Sequence, residues 1–148
     1  MKPTPPGWPR ISSALIYDDP KRAIDWLCRA FGFEVRLLVE GDGGSVEHSE
    51  LVFGDGLIMV SGEKPAKFPH YRSPTVVSGA NTQSLMVYVD DAEAHLKRAR
   101  DAGAVIETEL ETHDYGDDYW ADRSYGCKDI GGHHWWFSER LRNPVMKK

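Results

Sequence analysis

Three observations on the sequence predict an α+β fold built from two copies of one βαβββ module. The strand-to-helix stretch Leu15-Ile16-Tyr17-Asp18-Asp19 returns as Met86-Val87-Tyr88-Val89-Asp90-Asp91, so that Asp18 corresponds to Asp90, 72 positions later. Each predicted helix ends at a glycine, and each is followed by three predicted strands. An internal repeat of this kind sets the whole fold. Two copies of so small a module predict a shared cavity.

The first module is expected over residues 10–61, after a proline-rich extended arm of residues 1–9. Residues 10–17 read as a strand, and Asp18 or Asp19 then caps a helix with Pro20 at its first position. Apolar residues recur at helical spacing up to Gly32, where the helix should end. Strands are predicted over residues 33–40, 45–53 and 57–61, separated by glycine-containing turns.

The second module repeats this order over residues 84–140, after a polar, proline-containing connector of residues 62–83. A strand over residues 84–89 precedes a helix that begins after Asp90 or Asp91 and ends at Gly103. Three strands are predicted over residues 105–110, 123–128 and 133–138. Residues 112–122 form an insertion rich in aspartate and aromatic side chains, and residues 141–148 form a C-terminal tail. The two modules should make a single domain.

The composition argues against several classes of protein. The chain has 148 residues, a net charge of −5 and 41% hydrophobic residues, which is typical of a soluble globular protein without a basic surface for nucleic acid. Cys28 and Cys127 are too few for a disulfide framework. Neither a secretory signal nor an apolar run of about 20 residues is present. We therefore expect a cytoplasmic protein that binds neither nucleic acid nor membranes.

Two features carry a family resemblance: the paired strand-Asp-Asp-helix starts, and the closing segment Tyr125-Gly126-x-x-Asp129-x-x-Gly132-His133-x-Trp135-x-Phe137. Both resemble the vicinal oxygen chelate superfamily, which includes glyoxalase I, extradiol dioxygenases and bleomycin-resistance proteins. The resemblance covers residues 10–140 and is nearest to bacterial glyoxalase-like and bleomycin-resistance-like proteins of unassigned activity. It implies two curved mixed sheets that face each other across a cavity, usually in a homodimer.

Metal-using members of this superfamily take ligands from the first and last strands of each module. The resemblance places Ser12 and Ser84 at the first-strand positions, and Met59 and Trp136 near the last-strand positions. A neutral hydroxyl, a thioether and an indole N–H are poor ligands for Zn²⁺, Fe²⁺ or Ni²⁺. We therefore expect no metal and no other cofactor.

The same alignment predicts the residues of a ligand site. The expected pocket consists of Ser12, Met59, Ser84, Tyr88, His134 and Trp136, with Tyr119, Trp120 and the aspartates of the insertion at its mouth. Arg123 is a further candidate that would bind an anionic group if it faces inward, or pair with Asp122 or Glu139 if it does not. Rings beside carboxylates suit a planar aromatic or cationic guest, although core packing and a solvated loop account for the same residues.

Three functions fit these patterns. The favoured one is a metal-independent small-molecule binding protein that sequesters its guest in an aromatic cavity. The second is a glyoxalase-like lyase or dioxygenase, whose metal would need donors such as His48, Glu50 or His134. The third is a non-catalytic dimeric structural module with a filled cavity. Nucleophilic catalysis is not supported, because the sequence specifies no oriented Ser/His/acid set.

Overall fold

The computed structural model describes residues 1–146, so that the basic end of the predicted tail, Lys147 and Lys148, lies outside the described residues. The chain divides into two compact units, the first formed by Met1–Ala80 and the second beginning at Asn81. Within the described residues, each unit contains one α-helix and one curved four-stranded mixed sheet, which confirms the predicted α+β class. Among residues 1–146, no helix is both long and apolar enough to cross a membrane.

The first unit has the strand and helix order predicted from the sequence. Its elements are β1 (Ser13–Tyr17), α1 (Pro20–Phe31), β2 (Glu34–Glu40), β3 (Val46–Phe53) and β4 (Gly56–Gly62). The sheet order is β1-β4-β3-β2, in which β1 and β4 are parallel and the other neighbours are antiparallel. Strand β1 is three residues shorter at its start than predicted.

Helix α1 begins and ends at the residues that the sequence indicated. The side chain of Asp19 accepts a hydrogen bond from Arg22 N, and Gly32 adopts a left-handed conformation with φ 89° at the C-terminal end. The apolar stripe of the helix is buried, with Leu27, Ala30 and Phe31 fully so. Burial of this stripe holds the helix against one face of the first sheet.

The second unit repeats the same topology. Its elements are β5 (Leu85–Tyr88), α2 (Ala92–Asp101), β6 (Val105–Asp114), β7 (Ala121–Lys128) and β8 (His134–Arg142), in the sheet order β5-β8-β7-β6. Asp91 caps α2 by accepting a hydrogen bond from Ala94 N. Below the helix, Tyr125, Cys127, Trp135 and Phe137 are completely buried. The aromatic residues therefore fill the core on this side of the sheet.

Both ends of the predicted insertion of residues 112–122 are strand. Strands β6 and β7 continue through it and leave only a short hairpin tip between Asp114 and Ala121. Strand β8 likewise runs to Arg142, which pairs with Ala121, so it extends two residues beyond the predicted end of the module. Cross-strand pairing makes these strands longer, because each extension satisfies backbone groups of its neighbour.

The N-terminal arm is anchored at its end. Arg36 Nη1 donates a hydrogen bond to Gly7 O at 2.6 Å, and its guanidinium lies 5.4 Å from the ring centre of Trp8. A Cβ atom on Gly7 would lie 2.3 Å from Arg36 Nη1, so the close approach requires a glycine or a displaced arginine. Trp8 is consequently half-buried.

Candidate functional site

The open face of the second sheet carries the candidate site. Side chains alternate along β8, so Trp135 and Phe137 are buried under α2 while His134 and Trp136 lie on the opposite face. The strand register places Met86 of β5 on one side of Trp136 and Gly126 of β7 on the other. We call this surface the open face. The structure therefore brings the predicted residues Ser84, Tyr88, His134 and Trp136 to one side of the sheet.

Gly126 provides the space that the Trp136 ring occupies. A Cβ atom on Gly126 would lie 3.0 Å from Cζ3 and 3.2 Å from Cε3 and Cη2 of Trp136. The six-membered ring of the indole thus lies over the backbone of β7, while Met86 on the other side is 53% exposed. A glycine inside a strand often marks a close approach of another group to the backbone. The position of Gly126 within a predicted strand is therefore the sequence signal for this contact.

A polar row lies at the start of β8. Ser84 Oγ is 2.6 Å from His134 Nδ1, and His134 Nε2 is 3.9 Å from Glu107 Oε2. Lys128 Nζ is 3.5 Å from the other oxygen of Glu107. The sequence specified no Ser/His/acid set, and the separation of 3.9 Å is too long for the hydrogen bond that orients a catalytic histidine. We name these four residues the polar end of the open face.

A charged cluster occupies the other end of the open face. Arg140 Nε donates to Asp122 Oδ1 at 2.5 Å, and Arg140 Nη2 donates to the Tyr88 hydroxyl at 2.5 Å. The guanidinium also lies 5.7 Å from the ring centre of Trp120. The hydrogen bond that Arg140 donates to Asp122 raises the pKa of Arg140 above its ordinary value. Arg140 therefore contacts both Tyr88 and Trp120. The sequence patterns did not predict it as a site residue.

The hairpin tip is held by a second ion pair. Arg142 donates to both carboxylate oxygens of Asp114, at 2.6 Å and 3.0 Å, and to Gly116 O at 2.8 Å. The hydrogen bonds from Arg142 hold the pKa of Asp114 well below its usual range. In the hairpin tip that this ion pair holds, which we call the Arg142–Asp114 clamp, Tyr119 is 57% exposed and lies edge-on to Trp120. The predicted mouth residues are thus exposed rings on an anchored hairpin.

Arg123 is not brought to the open face. It alternates with Asp122 along β7 and pairs in register with Glu139 on the side of the sheet that α2 covers. Its Nε donates to Thr112 Oγ1 at 3.4 Å. The structure therefore separates Arg123 from Trp136 by the thickness of the sheet.

Ser12 and Met59 belong to the first unit. Met59 of β4 is in register with Ala14 of β1, and Trp136 of β8 is in register with Met86 of β5. These equivalent pairings support the correspondence of Met59 and Trp136. Ser12 lies just before β1, as Ser84 lies just before β5. Ser12 and Ser84 are therefore equivalent to each other but precede the strands on which they were expected, while Met59 and Trp136 lie within β4 and β8.

The first sheet holds a buried carboxylate on the face of Met59. Glu50 is 6% exposed and accepts from Arg36 Nε at 3.0 Å, while His48 Nε2 lies 2.7 Å from its other oxygen. The hydrogen bond with His48, with help from Arg36, outweighs burial and lowers the pKa of Glu50. His48 and Glu50 therefore lie on the same face of β3 and contact each other.

The residues at the family's metal positions do not fit a divalent cation. Two serines, a thioether and an indole offer no carboxylate, imidazole or thiolate donor. Within residues 1–146, no group of three or more histidine, cysteine, aspartate or glutamate side chains is arranged to hold a metal ion. His48 and Glu50 contact each other but form only a pair.

Comparisons with known proteins support the motif resemblance. The family model described as the Glyoxalase/Bleomycin resistance protein/Dioxygenase superfamily matches residues 10–137. The uncharacterized protein Rv0887c of Mycobacterium tuberculosis is 29% identical over 138 residues, which cover 93% of this chain and 78% of that protein. The crystal structure of TioX from Micromonospora sp. ML1 has a TM-score of 0.66 at 29% identity and covers 95% of this chain and 100% of TioX. TnmS3, an antibiotic binding protein from Streptomyces sp. CB03234, has a TM-score of 0.62 at 14% identity and covers 87% and 93% of the two chains.

Proposed function

This chain belongs to the glyoxalase/bleomycin resistance protein/dioxygenase superfamily, and from that premise we propose that it binds and sequesters a planar small molecule without a metal ion. The guest lies on the open face of the second sheet, with Trp136 as its stacking platform. The fold is compatible with binding, since TnmS3, named as an antibiotic binding protein, shares it.

The position of Trp136 is the observation that carries the proposal. Its ring lies over Gly126 rather than in the core, between the exposed thioether of Met86 and the imidazole of His134, whose ring centre is 5.2 Å away. Large rings on a sheet normally bury their apolar surface. A half-buried indole held flat against the backbone offers its outer surface to a planar partner.

The charges around this platform favour an uncharged aromatic guest over a cationic one. Asp114 and Asp122, two of the four aspartates in the predicted mouth, are each paired with an arginine. An ion-paired carboxylate attracts an additional cation less strongly than a free one. The stacking surface of Trp136 is unaffected by this pairing, so we expect ring shape to dominate affinity.

Titration of the protein with planar aromatic compounds tests the proposal. Binding of 2-naphthol, and of proflavine as a cationic comparison, is measured by isothermal titration calorimetry, with cyclohexanol as the non-planar control. Trp136→Ala should weaken binding by roughly 1–3 kcal/mol, the value of one stacked ring. Trp8→Ala removes another half-buried tryptophan, outside the second sheet, and should leave the affinity unchanged.

A metal assay separates this proposal from a metal-dependent lyase or dioxygenase. The purified protein should contain less than one tightly held divalent ion per chain, and chelation should not change the affinity for the planar guest. Stoichiometric metal, with binding or turnover that chelation abolishes, would overturn metal independence. No binding of any planar compound would favour the structural module instead.

Two further expectations accompany the proposed function. We infer from the composition that the protein acts in the cytoplasm, and from the family resemblance that it forms a homodimer. Light scattering coupled to size-exclusion chromatography should give a mass near twice 16.7 kDa. A monomeric mass across micromolar concentrations would contradict the dimer.

A further inference from the structure

The polar end of the open face contains two groups that face each other without a hydrogen bond. His134 Nε2 and Glu107 Oε2 are 3.9 Å apart, and Glu107 Oε1 is 3.5 Å from Lys128 Nζ. Both distances exceed those of ordinary hydrogen bonds. Among the described residues 1–146, Lys128 and His134 are the basic side chains within 4 Å of the Glu107 carboxylate. At these distances the carboxylate oxygens still have room to accept a shorter hydrogen bond from a guest.

The imidazole of His134 is fixed in the direction of this gap. Ser84 Oγ lies 2.6 Å from Nδ1, and the Trp136 ring packs against the imidazole at an interplanar angle of 65°. Ser84 Oγ also donates to His134 O at 3.3 Å. Because the Ser84 hydroxyl occupies Nδ1, Nε2 is the ring nitrogen that faces Glu107. The imidazole and the carboxylate therefore approach the same small space, and a proton on Nε2 makes the ring a donor there.

A hydroxyl group satisfies both partners at once. An oxygen atom about 2.8 Å from Nε2 and from Oε2 would see the two atoms at an angle of about 90°, which allows it to accept from one and donate to the other. An ether oxygen lacks the hydrogen that Glu107 needs, and a carboxylate would be repelled by it. Trp136 is two residues from His134 on the same strand face, about 7 Å away, which is within the span of an aromatic ring system.

Resting on the proposed function, we propose that Glu107 is a ligand-binding residue and that the guest carries a hydroxyl group on the edge of its planar ring. The ring stacks on Trp136, and the hydroxyl bridges His134 Nε2 and Glu107. Lys128 Nζ stands 3.5 Å from the other oxygen of the same carboxylate. The ring surface then tolerates different substituents on the guest. The hydrogen-bonding site at His134 and Glu107 requires a hydroxyl group.

The experiment compares 2-naphthol with 2-methoxynaphthalene, which has the same rings but no hydroxyl hydrogen. Calorimetry on the wild-type protein should give an affinity about tenfold higher for 2-naphthol, the factor for one hydrogen bond to a charged group of about 1.4 kcal/mol. Glu107→Ala should abolish this preference, and Glu107→Gln should keep part of it because its amide oxygen still accepts. Glu109→Ala is the matched control, since Glu109 on the same strand pairs with Arg100 of α2.

The outcomes distinguish this inference from the function on which it rests. Equal affinities for the two compounds, with both lost in Trp136→Ala, would overturn the hydroxyl inference and leave the proposed function standing. A tenfold preference that survives in Glu107→Ala would overturn the role of Glu107. Failure of both compounds to bind would overturn both proposals. Thermal melts verify folding, and Glu107→Gln gives the decisive result if Glu107→Ala does not fold.

Discussion

Glu50 Oε2 lies 2.7 Å from His48 Nε2 across one face of β3, and this contact stabilises a carboxylate that is almost completely buried. Arg36 Nε contacts the other carboxylate oxygen at 3.0 Å and continues to Gly7 of the N-terminal arm. Burial alone would raise the pKa of Glu50, whereas its hydrogen bonds and neighbouring charges lower it. The ionised form is therefore the one that fits the folded first unit.

Glu50→Gln should lower the thermal midpoint at neutral pH, with a difference that disappears in acid. The folded-state pKa of Glu50 lies below the ordinary value of 4.5, so its ionised form contributes stability above that pH. This contribution is lost as the pH falls through the lowered pKa. Circular dichroism melts between about pH 3 and pH 7 measure the trend. Glu47→Gln, on the opposite strand face, should show no such trend, and a pH-independent difference for Glu50→Gln would contradict the linkage.

Asp129→Ala should destabilise the second unit strongly. The buried carboxylate accepts hydrogen bonds from Gly131 N at 2.9 Å, His133 N at 3.0 Å and Trp135 Nε1 at 2.9 Å. Removal of the acceptor leaves several donors unsatisfied around the turn before β8, at about 1–3 kcal/mol for each one that water does not reach. Urea unfolding should therefore show a loss of about 3 kcal/mol or more.

Asp129→Asn provides the matched control for that prediction. It retains one acceptor oxygen and nearly the same shape, so its loss should be smaller than that of Asp129→Ala. Equal stabilities of the two variants would show that the one remaining amide oxygen does not replace the carboxylate as an acceptor. Wild-type stability in Asp129→Ala would show that the turn does not depend on the carboxylate.

Gly126→Ala should weaken guest binding with little effect on stability. The new methyl group would press on Trp136 at 3.0–3.2 Å and displace the ring by a few tenths of an ångström or more. Overpacking typically lowers the free energy of unfolding by about 1 kcal/mol or more, but replacing a strand glycine by alanine raises it by about 0.5–1 kcal/mol. The free energy of unfolding should therefore change by less than about 1 kcal/mol. Calorimetric affinity for 2-naphthol should fall severalfold.

A double-mutant cycle tests whether Gly126 acts through Trp136. In a Trp136→Leu background, Gly126→Ala should have no further effect on affinity, because the ring that it displaces is gone. Additive losses would mean that Gly126 affects the guest directly. Unchanged affinity in the single Gly126→Ala variant would contradict the role of the glycine as a support for the indole.

Asp114→Asn should loosen the hairpin between β6 and β7. The substitution removes the negative charge of the carboxylate to which Arg142 donates two hydrogen bonds, and it keeps the shape of the side chain. Hydrogen exchange measured by mass spectrometry should become severalfold faster for peptides that cover residues 115–120. Glu111→Gln, an exposed carboxylate on the same strand, should leave the exchange unchanged. Equal protection in both variants would show that the clamp does not order the tip.

The sequence alone determined the modules, the ends of their helices and the side chains at the family's metal positions. Asp19, Gly32 and Asp91 act locally, so their effect is readable from a few neighbouring residues. The alternation in β8 likewise predicts that Trp136 and His134 share one face and Trp135 the other. These features depend on periodicity and on short sequence separations.

Only the tertiary structure decided which distant side chains meet. Glu107 reaches His134 because β6 changes register around Thr108, and no local signal marks such an irregularity. Arg140 meets Asp122 because β7 and β8 pair beyond the predicted ends of both strands, and the same register assigns Arg123 to the other face. The register between strands that are distant in sequence depends on how all the strands of the sheet pair and which face they bury. It therefore cannot be read from single residues.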